Sequence, residues 1–219
     1  QSPFYRPWPG QRAGMTAAPP RARLLPASAD SIKIAAGILG AGGLVAFPTE
    51  TLYGLGADAR SESAILKVFQ AKARRPDKPL ITLVQNIREA GQYGVLDDNA
   101  DRLAHAFWPG ALTLIVAQRD TSPLSQALNP GGNTVALRAP GNDITLRLLR
   151  AFAGPLTAPS ANLAGAAPPK TARRDGKHGT RHRRGARRRP LPRQRIDPAR
   201  PQRRPAPVAA CGRNFAASD

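Results

Sequence analysis

A single cysteine, Cys211, in 219 residues excludes an intramolecular disulfide and any cysteine-rich metal site, and with them the class of small disulfide-stapled secreted domains. The three histidines, His105, His178 and His182, show no paired metal-ligand spacing, so no protein metal site is expected. No apolar run approaches the ~18 residues that cross a bilayer as a helix, and the N-terminus lacks the basic, apolar, small order of a signal peptide. A soluble chain of the reducing cytoplasm is therefore expected. Neither a G-x-x-x-x-G-K-[ST] loop nor a G-x-G-x-x-G element occurs, so a nucleotide would not be held in a P-loop or Rossmann manner.

Acidic residues are also scarce. Fourteen Asp and Glu face 33 Lys and Arg, for a net charge of +19. Such a surplus ordinarily points to nucleic acid or an anionic surface. Here it is concentrated: residues 173–219 hold 15 Lys and Arg against 3 Asp, which is +12 of the total. The segment containing Arg181, Arg183, Arg184, Arg187, Arg188 and Arg189 has almost nothing apolar to bury and reads as disordered. Residues 1–26 are rich in Pro, Arg and Ala without periodicity. The chain opens with Gln1, and Met15 is read as the start of the protein, with the preceding residues kept out of the fold.

What remains, residues 27–172, has the length of one domain with a core. Helical patterns alternate with short apolar runs bounded by Gly and Pro, as an α/β layer structure requires. Ser28 or Asp30 caps a helix with Ile34, Ala35, Ile38 and Leu39 on its apolar face and Gly40 as its stop. Ser61 opens a second helix with Ile65, Leu66 and Phe69 on one side. A third is expected over residues 99–107. Strands are expected at 44–47, 80–84, 112–117 and 134–137, and such uninterrupted apolar runs suit strands covered on both faces. The fold expected is α/β: a twisted, mostly parallel or mixed sheet with flanking helices and a basic cleft at the strand ends.

The most informative stretch runs from Gly43 to Leu55, GLVAFPTETLYGL. A hydrophobic strand ended by proline and followed by hydroxyls, a carboxylate, an aromatic and a glycine is how a sheet presents polar groups at its rim. A threonine-rich turn that only satisfies its own backbone is the alternative. Lys72 and Arg74 end the second helix, where cations offset the helix dipole. Arg138 ends an apolar strand, and its planar fork suits bidentate capture of a carboxylate. Ser160 and Asn162 follow a proline-ended strand, in a small-residue loop that would serve a nucleotide or a simple Asx turn equally well. Thr113 is either a cleft-lining residue or a strand threonine bonded to backbone.

The Pro48 to Leu55 stretch is similar to the P-T-E-T-x-Y-G-L signature of the threonylcarbamoyl-AMP synthases of the YrdC-like family. Four further segments match in the family's order: Lys72-Ala73-Arg74 leading to Lys78-Pro79-Leu80, then Trp108 to Thr113, Val135 to Pro140, and Ala158 to Asn162. Five such segments in order make the resemblance highly specific, and it covers residues from about 25 to 172. It implies that L-threonine, bicarbonate and ATP, with Mg2+ on the nucleotide, are converted to threonylcarbamoyl-AMP and pyrophosphate. A downstream transferase then modifies tRNA, so tRNA or double-stranded RNA is an expected partner. By resemblance Lys72 and Arg74 are catalytic and bind the ATP phosphates, Thr113, Ser160 and Asn162 contact ATP, and Thr49, Lys78 and Arg138 hold threonine. The pattern departs from the family at one point, because Arg75 intervenes between Arg74 and Pro76.

Two rival readings are a relative that handles carbamoyl-adenylate in hydrogenase maturation and an RNA-binding protein acting through its basic tail. The tail also bears on a second departure. Past the P-S-A-N segment the family continues with D-G-G, E-S-T and L-R-P motifs, and none is present here. Synonymous codons for Arg181 to Arg189, read from each second base, permit D-I-D-A-V-L-D-G-G. The same shift from Arg193 to Ala210 permits G-S-E-S-T-L-L-D-L-S-G-A-P-L-L-L-R-P. Residues from about 173 onward are therefore expected to be translated out of frame, which would explain the arginine excess and leave the domain incomplete and the chain unstable or inactive.

Overall fold

Each of the five helices among the described residues begins on a side chain that takes up an otherwise unpaired backbone N–H. Ser28, Ser61, Asn86 and Asp97 each accept from the N–H three residues on, and Asn142 accepts from both Ile144 and Thr145. A cap of this kind is worth about 1 kcal/mol. The structure, a computed structural model, describes residues 23–162 and 208–211. In chain order the elements are β1 (Arg23–Leu25), α1 (Ala29–Gly40), β2 (Leu44–Pro48), β3 (Tyr53–Gly56), α2 (Glu62–Lys72), β4 (Ile81–Leu83), α3 (Ile87–Tyr93), α4 (Asp98–Phe107), β5 (Leu114–Ala117), β6 (Thr134–Arg138), α5 (Asp143–Phe152), β7 (Leu156–Thr157) and β8 (Val208–Cys211).

The strands form two four-stranded sheets, in the orders β1-β8-β2-β3 and β5-β6-β4-β7. Only the β4/β6 pair is parallel, with Thr82 opposite Leu137, and every other pair is antiparallel. The mixed alternative of the expected sheet is therefore the one realised. One hydrophobic cluster packs α2, α3 and α4 against the Leu114, Val116, Val135 and Leu137 face of the second sheet. The other joins α1 and α5 to β2 and to the opposite face at Leu83 and Leu156. Burying each such aliphatic side chain contributes about 1.5–3 kcal/mol. In the first sheet the ring of Phe47 lies against the glycines of β3. A Cβ on Gly56 would sit 2.4 Å from Phe47 Cε1, so the Y-G-L-G run is what lets the aromatic close over its neighbour strand.

Several expectations are corrected. α1 buries Ala35 and Leu39 and packs Ile38 against the core as expected, whereas Ile34 is exposed and Ile32 takes its place on the buried face. α1 does end at Gly40, as expected, and Gly42, at φ 71°, makes the left-handed turn after it. Residues 23–25, assigned to the irregular N-terminal segment, form β1, since Leu25 is buried against the core. The strand expected before Ser160 is β7, Leu156–Thr157, while α3, α5 and β3 are not among the expected elements, although Asn142, Asp143 and the Ile144, Leu148 spacing carry the signal for α5. Residues 1–22 and most of the tail, with His178, His182, the first out-of-frame string and the second up to residue 207, lie outside the described residues. The exception is Val208–Cys211, whose backbone fills the slot between β1 and β2, a place in the first sheet that a tail wholly outside the domain would not take. No helix of the described residues is long and apolar enough to cross a membrane.

Candidate functional site

β2 ends at Pro48, and residues 49–52 turn the chain back into β3. Thr49 organises that turn: its Oγ1 donates to Leu52 O at 2.6 Å and accepts from the N–H groups of Thr51 and Leu52. The turn is tied to α5 by a short hydrogen bond from the buried Thr145 hydroxyl to Pro48 O. It forms one wall of a cavity of about 330 Å³, which is also lined by Tyr53, Arg74, Ile81, Leu83, Arg138 and Ser160.

The second wall starts at the end of α2. Ala73 adopts the left-handed conformation, φ 47° and ψ 39°, so its neighbours project in different directions. Lys72 goes inward and is only 4% exposed. Its ammonium donates to the carbonyl of Ser160 and, at 2.6 Å, to that of Asn162. Burial, then the charge of Arg74, pushes its pKa down from the ordinary lysine value. Arg74 lines the cavity, with Nη2 donating to Pro79 O at 2.9 Å and Nε buried without a partner. The extra residue after Arg74 is taken up in an exposed turn closed by an Arg75–Asp77 ion pair at 3.0 Å.

The loop that Lys72 holds is fastened to β3. Leu55 N–H donates to Pro159 O at 2.8 Å and Ala161 N–H to Tyr53 O at 2.7 Å, while the Ser160 hydroxyl donates to Asn162 Oδ1. Arg138, at the end of β6, completes the cavity. Its Nε donates to Gly110 O at 3.0 Å, and Nη2 is 3.0 Å from Glu50 Oε2, an ion-pair distance without hydrogen-bond alignment. Gly110 is fixed as glycine by its surroundings, because a Cβ there would meet Phe107 O at 2.4 Å.

Four residues singled out in the sequence, Thr49, Arg74, Arg138 and Ser160, thus line one cavity. Lys72 lies directly beneath Ser160 rather than in the lining, and Asn162 is bonded to both. Lys78 is exposed and outside the lining. Thr113 precedes β5, where the register extended by one residue sets it opposite Arg138, but it does not line the cavity. Glu50 was read only as part of a motif. The signal for its role was a carboxylate between two hydroxyls in a chain that also ends a strand on an arginine.

Comparison with known proteins bears on all these segments together. The family model Sua5_yciO_yrdC, described as telomere recombination, matches residues 37–179. The threonylcarbamoyl-AMP synthase of Pyrococcus abyssi is 42% identical over 142 residues, covering 64% of this chain and 41% of its own length. That of Escherichia coli O1:K1 is 30% identical over 145 residues, covering 65% of this chain and 75% of its own. The crystal structure of P. abyssi Sua5 complexed with L-threonine aligns with a TM-score of 0.64 at 40% identity, covering 66% of this chain and 42% of that one. This chain therefore spans about two fifths of the length of its Pyrococcus relative. The matched region contains every element from β2 to β7 and all the residues of the cavity, and the chain belongs to the Sua5/YciO/YrdC family.

Proposed function

We propose that this protein is a threonylcarbamoyl-AMP synthase, converting L-threonine, bicarbonate and ATP to threonylcarbamoyl-AMP and pyrophosphate in the cytoplasm. The observation that carries this reading is the convergence of Thr49, Arg74, Arg138 and Ser160, from separate motifs, on one cavity. The names of the relatives agree with it. In the reaction the threonine nitrogen attacks the carbon of bicarbonate and water leaves. The resulting carbamate oxygen attacks the α-phosphorus, and pyrophosphate departs with the bonding electrons.

Charge supports a division of the cavity. Lys72 and Arg74 have no acidic partner among the described residues, so that wall is cationic and suits the triphosphate, whose charge it would neutralise as the α-phosphorus is attacked. The unpartnered Nε of Arg74 is a donor that a phosphate oxygen would satisfy. Arg138 offers its remaining nitrogen to the threonine carboxylate, aligning the amino acid for in-line attack. Magnesium would arrive on the nucleotide, held by phosphate oxygens, since no group of three His, Cys, Asp or Glu among the described residues is placed to bind a metal. The product would pass to a transferase that acylates an adenosine of tRNA.

The domain would be complete only with its C-terminal part in frame. The out-of-frame reading of residues from about 173 onward is part of this proposal. The codons for Val208 to Ala210, at the one strand where the tail meets the first sheet, permit L-R-P in the next frame. The test is pyrophosphate release measured with and without threonine and bicarbonate, for the chain as written and for a frame-restored version. Release that requires both substrates in the restored protein is expected. Release independent of threonine there would overturn the assignment, and coding DNA that does not yield the missing motifs would overturn the frame reading.

A further inference from the structure

We infer that Glu50 is a positioning residue, whose carboxylate fixes the Arg138 guanidinium so that a single nitrogen, Nη1, faces the substrate carboxylate. This rests on the reading in which Arg138 receives threonine, but the geometry of the pair is independent of it. Of the three guanidinium nitrogens, Nε is committed to Gly110 O. Nη2 is sealed from solvent and lies against Glu50 Oε2. Nη1 alone has neither a protein partner nor complete burial, and the side chain lines the cavity.

Glu50 is itself held. Its Oε1 accepts the Gly141 N–H at 2.6 Å, three residues beyond Arg138, and its backbone belongs to the turn that the Thr49 hydroxyl locks. Thr49 and Thr51 on either side line the cavity, but Glu50 does not, so it acts through Arg138 and not on a ligand. The pair is neutral overall. An anion gains little there from long-range attraction, and binds only if it meets Nη1 in the orientation the pair imposes. Without the carboxylate, Nη2 would be a buried donor with nothing opposite it, and the planar group would turn to find an acceptor.

Glu50→Gln in the full chain tests this, because the amide oxygen still accepts from Gly141 while the charge facing Nη2 is lost. Restricted rotation of the Arg138 guanidinium is read first, from its 15N-resolved side-chain NMR signals, assigned by their loss in Arg138→Lys. Separate, slowly exchanging Nη signals are expected in the wild type and averaged ones in Glu50→Gln, with recovery in Glu50→Asp. Identical wild-type and Glu50→Gln spectra would overturn the inference whatever the enzyme activity. In pyrophosphate release by the frame-restored protein, the KM for threonine should rise about tenfold in Glu50→Gln, with the KM for ATP and kcat changed less than twofold. Equal rises for both substrates would also overturn it. Frame-restored protein without threonine dependence would instead count against the proposed function and leave the NMR comparison to decide the role of Glu50.

Discussion

The two cationic walls of the cavity are built on opposite principles. At the α2 end, Lys72 is buried against two neutral carbonyls and Arg74 donates to two more, with no ion-pair partner for either among the described residues. At the β6 end, Arg138 is matched by Glu50. The first wall keeps its full positive charge and stiffens the Ser160–Asn162 loop with it. The second gives up net charge and gains a fixed orientation. A polyanion is served by uncompensated charge, which acts over several ångströms, and a single carboxylate by a rigid fork, which acts at contact. The difference teaches that the two substrates of the proposed reaction need not be distinguished by size or by a pocket of their own. The charge balance of each wall is enough to sort them.

The largest expected effect breaks the second wall. Arg138→Ala removes the fork and strands Glu50 in its place. Losing one member of a partly buried charge pair whose two side chains are each anchored to backbone costs about 2–5 kcal/mol, so kcat/KM for threonine should fall by about two to three orders of magnitude while ATP binding, measured by calorimetry, is nearly retained. Lys72→Met comes next and should act on the other substrate. The carbonyls of Ser160 and Asn162 lose a charged donor worth about 1.5–3 kcal/mol, the loop loosens, and the KM for ATP should rise about tenfold with that for threonine little changed. If both variants raise the KM of the same substrate, the division between the walls is wrong.

How much of this was legible beforehand differs between the same two walls. Arg138, Arg74 and Ser160 were found because each sits where an element ends, and strand and helix ends can be read from apolar periodicity. The partner of each was not legible. Lys72 is a phosphate ligand by resemblance, and its spacing on α2 says nothing of the left-handed Ala73 that sends it inward to the carbonyls of Ser160 and Asn162. Thr49 carried a hydroxyl at a suitable place, but its bonds to Leu52 and Thr51 depend on turn geometry that a sequence only permits. Glu50 meets Arg138 and Gly141 across about 90 residues, and contacts of that separation leave no local pattern. For the same reason the slot between β1 and β2 was missed, since the strand that fills it, β8, comes from the far end of the chain. α5 is a different case: its cap and its apolar spacing were both present in the sequence.

The smallest expected effect isolates the first wall without any substrate. Lys72 pays for its burial with a lowered pKa, so in the folded chain it releases its proton below the ordinary lysine value of 10.5, whereas the unfolded chain keeps it to that value. Between the two, the unfolded state binds more protons, and stability contributed by this residue must rise with pH. Below the folded pKa both states are charged and the whole desolvation penalty is present; above 10.5 both are neutral and it is gone. A neutral amine still donates to the carbonyls of Ser160 and Asn162, so the loop is not released as the charge is lost. Denaturant unfolding of wild type and Lys72→Met, measured at a series of pH values from neutral to 10.5, should therefore show the difference in stability moving in favour of the wild type as pH increases. The remaining ionisable groups are common to both proteins and cancel. A difference that stays flat, or that moves the other way, would mean that the charge of Lys72 is compensated in the folded chain, and the contrast between an uncompensated wall and a compensated one would no longer hold.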